Sequence, residues 1–139
     1  MDLTLKIISF GLKITGGAGD CLGAYAPQYE CILFCHKGRR LLNEVDGCKR
    51  HTDIQNFSKV AGKQLVHHHQ KPLDLLEFFI KKSSEVGDVI LDPYMGSAST
   101  AIAALNIERN FLGFELDEQM FKLGVNRVNK RKVEINGEM

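Results

Sequence analysis

The strongest hydrophobic pattern begins at Lys71. After Pro72, whose fixed φ suits a helix start, Leu76, Phe79 and Ile80 recur at helical spacing, and Gly87 stands where that helix is expected to end. Val89-Ile90-Leu91 is a short all-apolar run, the kind of strand that parallel sheets bury on both faces. It closes on Asp92-Pro93. After a small-residue turn, Tyr94-Met95-Gly96-Ser97-Ala98-Ser99, the Ala-rich segment from Thr100 to Asn106 predicts a second helix with Ser97 or Ser99 as N-cap. Phe111 to Glu115 predicts a second strand. Asp117 then caps a helix to about Lys130, with Leu116 and Phe121 spaced as a hydrophobic staple. Helix, strand, helix, strand, helix is the wound α/β pattern.

The first half is less regular. Residues 5 to 10 read as a strand, and Tyr29 to Cys35 as a stronger one. Between them Gly16, Gly17, Gly19 and Gly23 oppose regular structure. From Lys37 to about Gln64 no periodicity survives, so a long loop is expected. The 139 residues therefore form a single α/β domain in three parts: a strand pair over 1–36, a loop over 37–64 and a ligand-binding half over 65–139.

Composition narrows the class. With 44% hydrophobic and 25% charged residues the chain is neither disordered nor low-complexity. No apolar run approaches the ~20 residues of a membrane span, and no signal-peptide pattern is evident, so a cytoplasmic protein with reduced cysteines is expected. Residues 1 to 63 carry nine basic and six acidic side chains, residues 64 to 139 nine and eleven. The basic surplus gathers at Lys37, Arg39, Arg40, Lys49 and Arg50, a pattern that suits phosphate contact, although on charge alone an ordinary solvated loop explains it better.

The candidate chemistry lies where the two strands of the second half end, since α/β sheets bind ligands beyond the carboxyl ends of their strands. Asp92 and Glu115 both arrive there, and the next helix begins at once after the turn. An acidic residue 19 positions after Gly96 matches the placement used to bind ribose hydroxyls. Each carboxylate alone is equally well explained as a turn cap or a solvated strand end. The turn holds one glycine, short of a dinucleotide fingerprint, and lacks the Gly-Lys-Ser/Thr ending of a phosphate loop. A carboxylate at the turn repels pyrophosphate and suits a cationic ligand such as S-adenosylmethionine.

Other constellations are weaker. Cys31, Cys35, Cys48 and His51 do not make a metal set, because Cys-x3-Cys on a strand holds its thiols about 13 Å apart. Buried thiols are expected instead. His67-His68-His69 resembles a tag or metal cluster, but successive positions at a helix entry point in different directions. Tyr25 and Tyr29 near the basic loop suit stacking on an extruded base, although Tyr29, at the start of an apolar strand, is better explained by core packing.

The run His67-His68-His69-Gln70-Lys71-Pro72, the block Ile90-Leu91-Asp92-Pro93-Tyr94-Met95-Gly96-Ser97-Ala98-Ser99-Thr100, and Gly113-Phe114-Glu115-Leu116-Asp117-Glu118 together resemble the β-class amino-methyltransferases of DNA, adenine-N6 or cytosine-N4 modification methylases of phages and restriction systems. The likeness extends weakly upstream, through Gly19-Asp20, Gly23 to Glu30 and Lys37-Gly38-Arg39. It implies a partial Rossmann-like methyltransferase fold with a mixed, incomplete sheet. It also implies S-adenosylmethionine as cofactor, with Gln70, Lys71 and Pro72 packing on its methionine end. Asp92, Pro93, Tyr94, Gly96, Ser97, Ser99 and Thr100 then cradle it and Glu115 holds the ribose.

Two departures stand out. The family usually has Gly where Ala98 stands, which sets a methyl group on backbone that needs positive φ. The family's Asp/Asn/Ser-Pro-Pro-Tyr/Phe motif, whose polar groups accept hydrogen bonds from the target amine while the aromatic ring stacks on the base, is absent: Pro27, Pro72 and Pro93 are the three prolines and none are adjacent. No catalytic residue is therefore assigned. Asp92-Pro93-Tyr94 directly precedes the Gly-Ser turn and is read as the cofactor loop. The chain looks like the C-terminal part of a methylase, inactive alone. Unpaired inner sheet edges then predict self-association, a complementing polypeptide, or disorder over residues 1 to 60. DNA is the expected partner. A silent cofactor- or DNA-binding remnant and a nucleotide-dependent oxidoreductase fragment remain the alternatives.

Overall fold

The computed structural model describes residues 3–13, 29–39, 41–48, 50–58, 60 and 70–137, with the side chains of 3–13 and 29 left aside. The chain divides into two compact units, Met1–Lys59 and Val60–Met139.

The first unit is a three-stranded sheet in the order β2-β1-β3, built from β1 (Leu3–Lys13), β2 (Tyr29–Lys37) and β3 (Ile54–Ser58). β1 and β2 run antiparallel, with Leu3 opposite Lys37 and Gly11 opposite Tyr29. β3 lies parallel to β1, with Ser9 opposite Ile54. This third strand corrects the expectation of an unbroken loop over 37–64. Ile54-Gln55-Asn56-Phe57-Ser58 has no alternation to announce it, and its pairing with β1 supplies what local propensity does not.

Ahead of β3, Val45 and Cys48 exchange backbone hydrogen bonds of 3.1 and 3.0 Å around Asp46 and Gly47, both at positive φ. That is the backbone of a tight primed turn, and Asp-Gly is its sequence signature. Along β2 the pleat sets Ile32, Phe34 and His36 half-buried and leaves Cys31, Leu33 and Cys35 exposed. Cys48 is half-buried, so the expected buried thiols are not found among the described cysteines. The glycine-rich segment, Tyr25, the Tyr29 side chain and His67-His68-His69 lie outside the described residues.

The second unit follows the wound pattern: α1 (Leu73–Ser83), β4 (Val89–Asp92), α2 (Ser99–Asn106), β5 (Asn110–Gly113) and α3 (Glu118–Asn136). β4 and β5 pair in parallel, Val89 opposite Asn110 and Asp92 opposite Gly113. Their inward residues Ile90 and Phe111 pack with Leu73, Leu76 and Ile107 on the buried cluster Ile80, Ala103 and Ala104. Alanines let α2 approach closely; Ala101, Ala103 and Ala104 are fully buried. Burying a side chain such as Ile80 contributes about 1.5–3 kcal/mol relative to exposure, each alanine methyl under about 1 kcal/mol. Val89, Leu91 and Leu112, on the other side of the pleat, and Phe114 just beyond β5 are more than half exposed.

Several element ends depart from the sequence reading. α1 stops at Ser83, where the Ser83 and Ser84 hydroxyls donate to the carbonyls of Phe79 and Ile80. Gly87, at φ +85, turns the chain into β4, its N–H donating to the Glu108 carbonyl at 2.9 Å. The staple at α3 does not form, since Leu116 is fully exposed. The Asp117 cap does, accepting the Met120 N–H at 2.8 Å, and α3 runs on to Asn136, where Gly137 at φ +73 closes it. Among the described residues no helix is long and apolar enough to cross a membrane.

Candidate functional site

The turn between β4 and α2 is fixed from both ends by carboxylates. Asp92 closes β4, and its Oδ1 accepts the Tyr94 N–H at 3.0 Å, as an Asp before a turn does. Its backbone carbonyl accepts the Phe114 N–H at 3.0 Å, and the Phe114 carbonyl accepts the Met95 N–H at 2.9 Å, so the two parallel strands stay in register into the loop. β5 ends at Gly113, two residues short of the expected strand end. Glu115 is thereby free to fold back, and its Oε2 accepts the Gly96 N–H at 2.8 Å while Oε1 accepts the Asp117 N–H at 2.9 Å. These amide bonds, the Asp117 one first and the Gly96 one next, hold the Glu115 carboxyl below the usual carboxylate value despite some desolvation.

The turn enters α2 through Ala98. This residue, rather than Ser97 or Ser99, is the N-cap, with φ 62 and ψ 34 in the left-handed region. An L-residue pays of order 1 kcal/mol there. The strain persists because neighbours define the turn: the Ala98 N–H donates to the Met95 carbonyl at 2.8 Å, and its methyl lies in the cluster of Met95, Ala101, Phe111 and Val128. Ser97 is buried, and so is Ser99, whose hydroxyl has no hydrogen-bond partner among the described residues. The position a Cβ would occupy at Gly96 is open, so a ligand can approach that backbone. Tyr94 stands 88% exposed beside it. Pro93 is exposed and Thr100 half-buried.

Two residues that the sequence reading missed brace the turn from α3. A Cβ at Gly124 would meet the Gly96 carbonyl at 3.1 Å and the Ala98 methyl at 3.2 Å, so glycine is what lets the helix close on the loop. Arg127, on the same helix face, donates from Nη1 to the Ser97 carbonyl. A glycine in mid-helix followed three positions later by arginine was the available signal.

Of the predicted positions, Asp92 closes β4, Pro93, Tyr94, Gly96 and Ser97 form the turn, Ser99 and Thr100 open α2, and Glu115 is bonded to the turn. Gln70, Lys71 and Pro72 form the entry to α1, with Pro72 buried and Lys71 exposed. The basic set belongs to the first unit. Lys37 ends β2, Arg39 is exposed, and Arg50 lines an open recess of about 530 Å³ with His51, Thr52 and Asp53. Arg40 and Lys49 lie outside the described residues. Among the described residues, no three metal-ligating side chains gather.

The sequence model of a family described as DNA methylase matches residues 17–126. The Type II methyltransferase M2.MboI of Moraxella bovis is 34% identical over 96 residues, covering 65% of this chain and 34% of that protein. M2.DpnII of Streptococcus pneumoniae is 34% identical over 127 residues, covering 74% and 46%. Among solved structures, the M1.HpyAVI–SAM complex superposes with a TM-score of 0.74 at 26% identity, over 91% of this chain and 63% of that one. The chain thus spans between a third and a half of these two relatives. The mixed α/β architecture with its small parallel sheet is part of a methyltransferase fold.

Proposed function

The chain belongs to the DNA methylase family, and from that premise we propose that it is the cofactor-binding part of a methyltransferase that modifies an exocyclic amino group of adenine or cytosine in DNA. The observation that carries this reading is the Glu115–Gly96 hydrogen bond, which fixes a carboxylate against the turn. Oε2 accepts the Gly96 N–H and Oε1 the Asp117 N–H, and a carboxylate has acceptor capacity beyond the backbone bonds that orient it, which suits it to receive a ribose hydroxyl.

The rest of the site suits S-adenosylmethionine. The polar side chains of Asp92, Tyr94, Ser97, Ser99, Thr100 and Glu115 are carboxylates and hydroxyls, which favour an ammonium and a sulfonium over a phosphate. The open approach at Gly96 and the unpartnered Ser99 hydroxyl fit a ligand that presses on the backbone. When bound, that cofactor supplies an activated methyl group. Tyr94 offers an exposed ring to the purine, and Gln70, Lys71 and Pro72 flank the amino-acid end. Asp92 keeps the turn open beneath it.

No residue is assigned to catalysis, because the sequence has no adjacent prolines and so no Asp-Pro-Pro-Tyr motif. We read the part that holds the target amine as supplied by polypeptide outside these 139 residues, with the exposed apolar side of β4 and β5 as its docking face. DNA phosphates are read as the partners of Lys37, Arg39, Arg40, Lys49 and Arg50, within a bacterial or phage-infected cell.

Calorimetric titration with S-adenosylmethionine and with NAD tests the cofactor assignment. Binding of the former that Glu115→Ala weakens by about 1–3 kcal/mol is expected; preference for NAD overturns the reading. Transfer of labelled methyl to DNA is expected only when a polypeptide bearing the proline-proline motif is added. Incorporation by the chain alone refutes that part.

A further inference from the structure

Gly124 and Arg127 lie three residues apart on α3, hence on one helix face, and both meet the turn of residues 96–98. They act on successive peptide units. The Glu115 carboxylate takes the Gly96 N–H, the Arg127 guanidinium donates to the Ser97 carbonyl, and the absent side chain at Gly124 leaves room for the Ala98 methyl. The Ser97 carbonyl belongs to the peptide plane that precedes Ala98, so fixing that oxygen fixes φ at Ala98, the strained dihedral of the turn. A left-handed L-residue persists only where its surroundings over-determine it. Arg127 is half-buried, and burial pushes its guanidinium below the ordinary arginine value, although the group stays charged.

We infer that Arg127 is a positioning residue for the cofactor turn: by holding the Ser97 carbonyl it keeps Ala98 left-handed and the Gly96–Ala98 backbone aligned for the ligand. The inference rests on the reading of this turn as the methyl-donor cradle. Arg131, one turn further along α3, is the natural control. Its guanidinium donates to Asn106 Oδ1 at 2.7 Å, which ties α3 to the end of α2, and pairs with Glu134 of α3 itself at 3.0 Å; neither bond touches the turn.

The test uses the full chain carrying Arg127→Ala, Arg127→Lys or Arg131→Ala, with two readouts. One is hydrogen exchange of the Ala98 amide in the free protein; the other is the dissociation constant for S-adenosylmethionine. Loss of a charge-assisted bond in Arg127→Ala is expected to speed Ala98 exchange roughly tenfold and to weaken cofactor binding by a similar factor. Arg127→Lys, which retains a cationic donor, should recover both to within about threefold. Arg131→Ala should lower the unfolding midpoint and leave both readouts unchanged.

Ala98 exchange that is indifferent to Arg127→Ala, or that responds equally to Arg131→Ala, overturns the inference. Normal cofactor affinity in Arg127→Ala also overturns it, while leaving the cofactor assignment intact. If the unsubstituted chain binds no S-adenosylmethionine but Ala98 exchange responds as described, the cofactor assignment falls and the hold of Arg127 on the turn stands.

Discussion

Gly124→Ala puts one methyl group where α3 meets the turn, and two opposed effects decide its outcome. Replacing a mid-helix glycine by alanine gains about 0.5–1 kcal/mol from backbone entropy and propensity. Against this, the new carbon arrives 3.1 Å from the Gly96 carbonyl oxygen, 3.2 Å from the Ala98 methyl and 3.4 Å from Met95 Cε. Met95 can swing its terminal methyl away. The other two cannot move freely, because the Gly96 amide is tied to Glu115 and Ala98 is fully buried. Overpacking of this kind costs about 1–3 kcal/mol, so a net loss of about 1 kcal/mol is expected.

Ala98→Gly removes the 3.2 Å contact and the left-handed strain together, at the loss of one buried methyl group. By itself it should be near neutral, and in the double variant it should recover about 0.5–1 kcal/mol of the Gly124→Ala loss. Denaturant unfolding of the full chain, read as a shift of midpoint at constant slope, measures all three variants. Stabilisation by the full helix-propensity gain, with no coupling to Ala98→Gly, would falsify the claim that the turn rests on this helix face.

Three further outcomes follow from the same geometry. The folded-state value of Glu115 lies below its ordinary 4.5, so its stabilising contribution is complete above that value and is lost as pH falls through the folded one; acid unfolding monitored by circular dichroism should show Glu115→Gln losing this dependence below pH 4.5. Asp117→Ala removes the α3 cap and should cost about 0.5–2 kcal/mol, with faster amide exchange at Met120. Ile80→Ala empties the centre of the α1–α2 cluster and should cost about 2–5 kcal/mol in urea unfolding, and a smaller value would mean the cluster is less tightly packed than described.

The second unit was legible because its signals are local. Helical spacing, the all-apolar Val89-Ile90-Leu91 and the Asp117 cap each fix an element within a few residues, and the two carboxylates that bracket the turn could be picked out by position alone. What was missed depends on partners distant in sequence. β3 exists through pairing with β1, about 45 residues away in the chain, and Gly87 serves a turn held by Glu108 rather than the end of α1. The Asp46-Gly47 turn was readable but lay in a stretch without periodicity. Ala98 has no hydroxyl to mark it as a cap, and its backbone state follows from Arg127 and Gly124, which only the folded chain brings to it.

The outward side of β4 and β5 carries a further implication for how this polypeptide behaves in water. Val89, Leu91, Leu112 and Phe114 remain between 51% and 63% wetted. Laying any apolar layer over them releases hydration worth about 1 kcal/mol per side chain, roughly 4 kcal/mol in all, which is about a thousandfold in association constant before ordering entropy is subtracted. That gain does not by itself offset the freedom lost when two separate chains associate, so covering this face is favoured most when the covering segment is linked to it or brings further contacts of its own. A fluorescent hydrophobic dye should light up on the bare protein and dim as the face is covered.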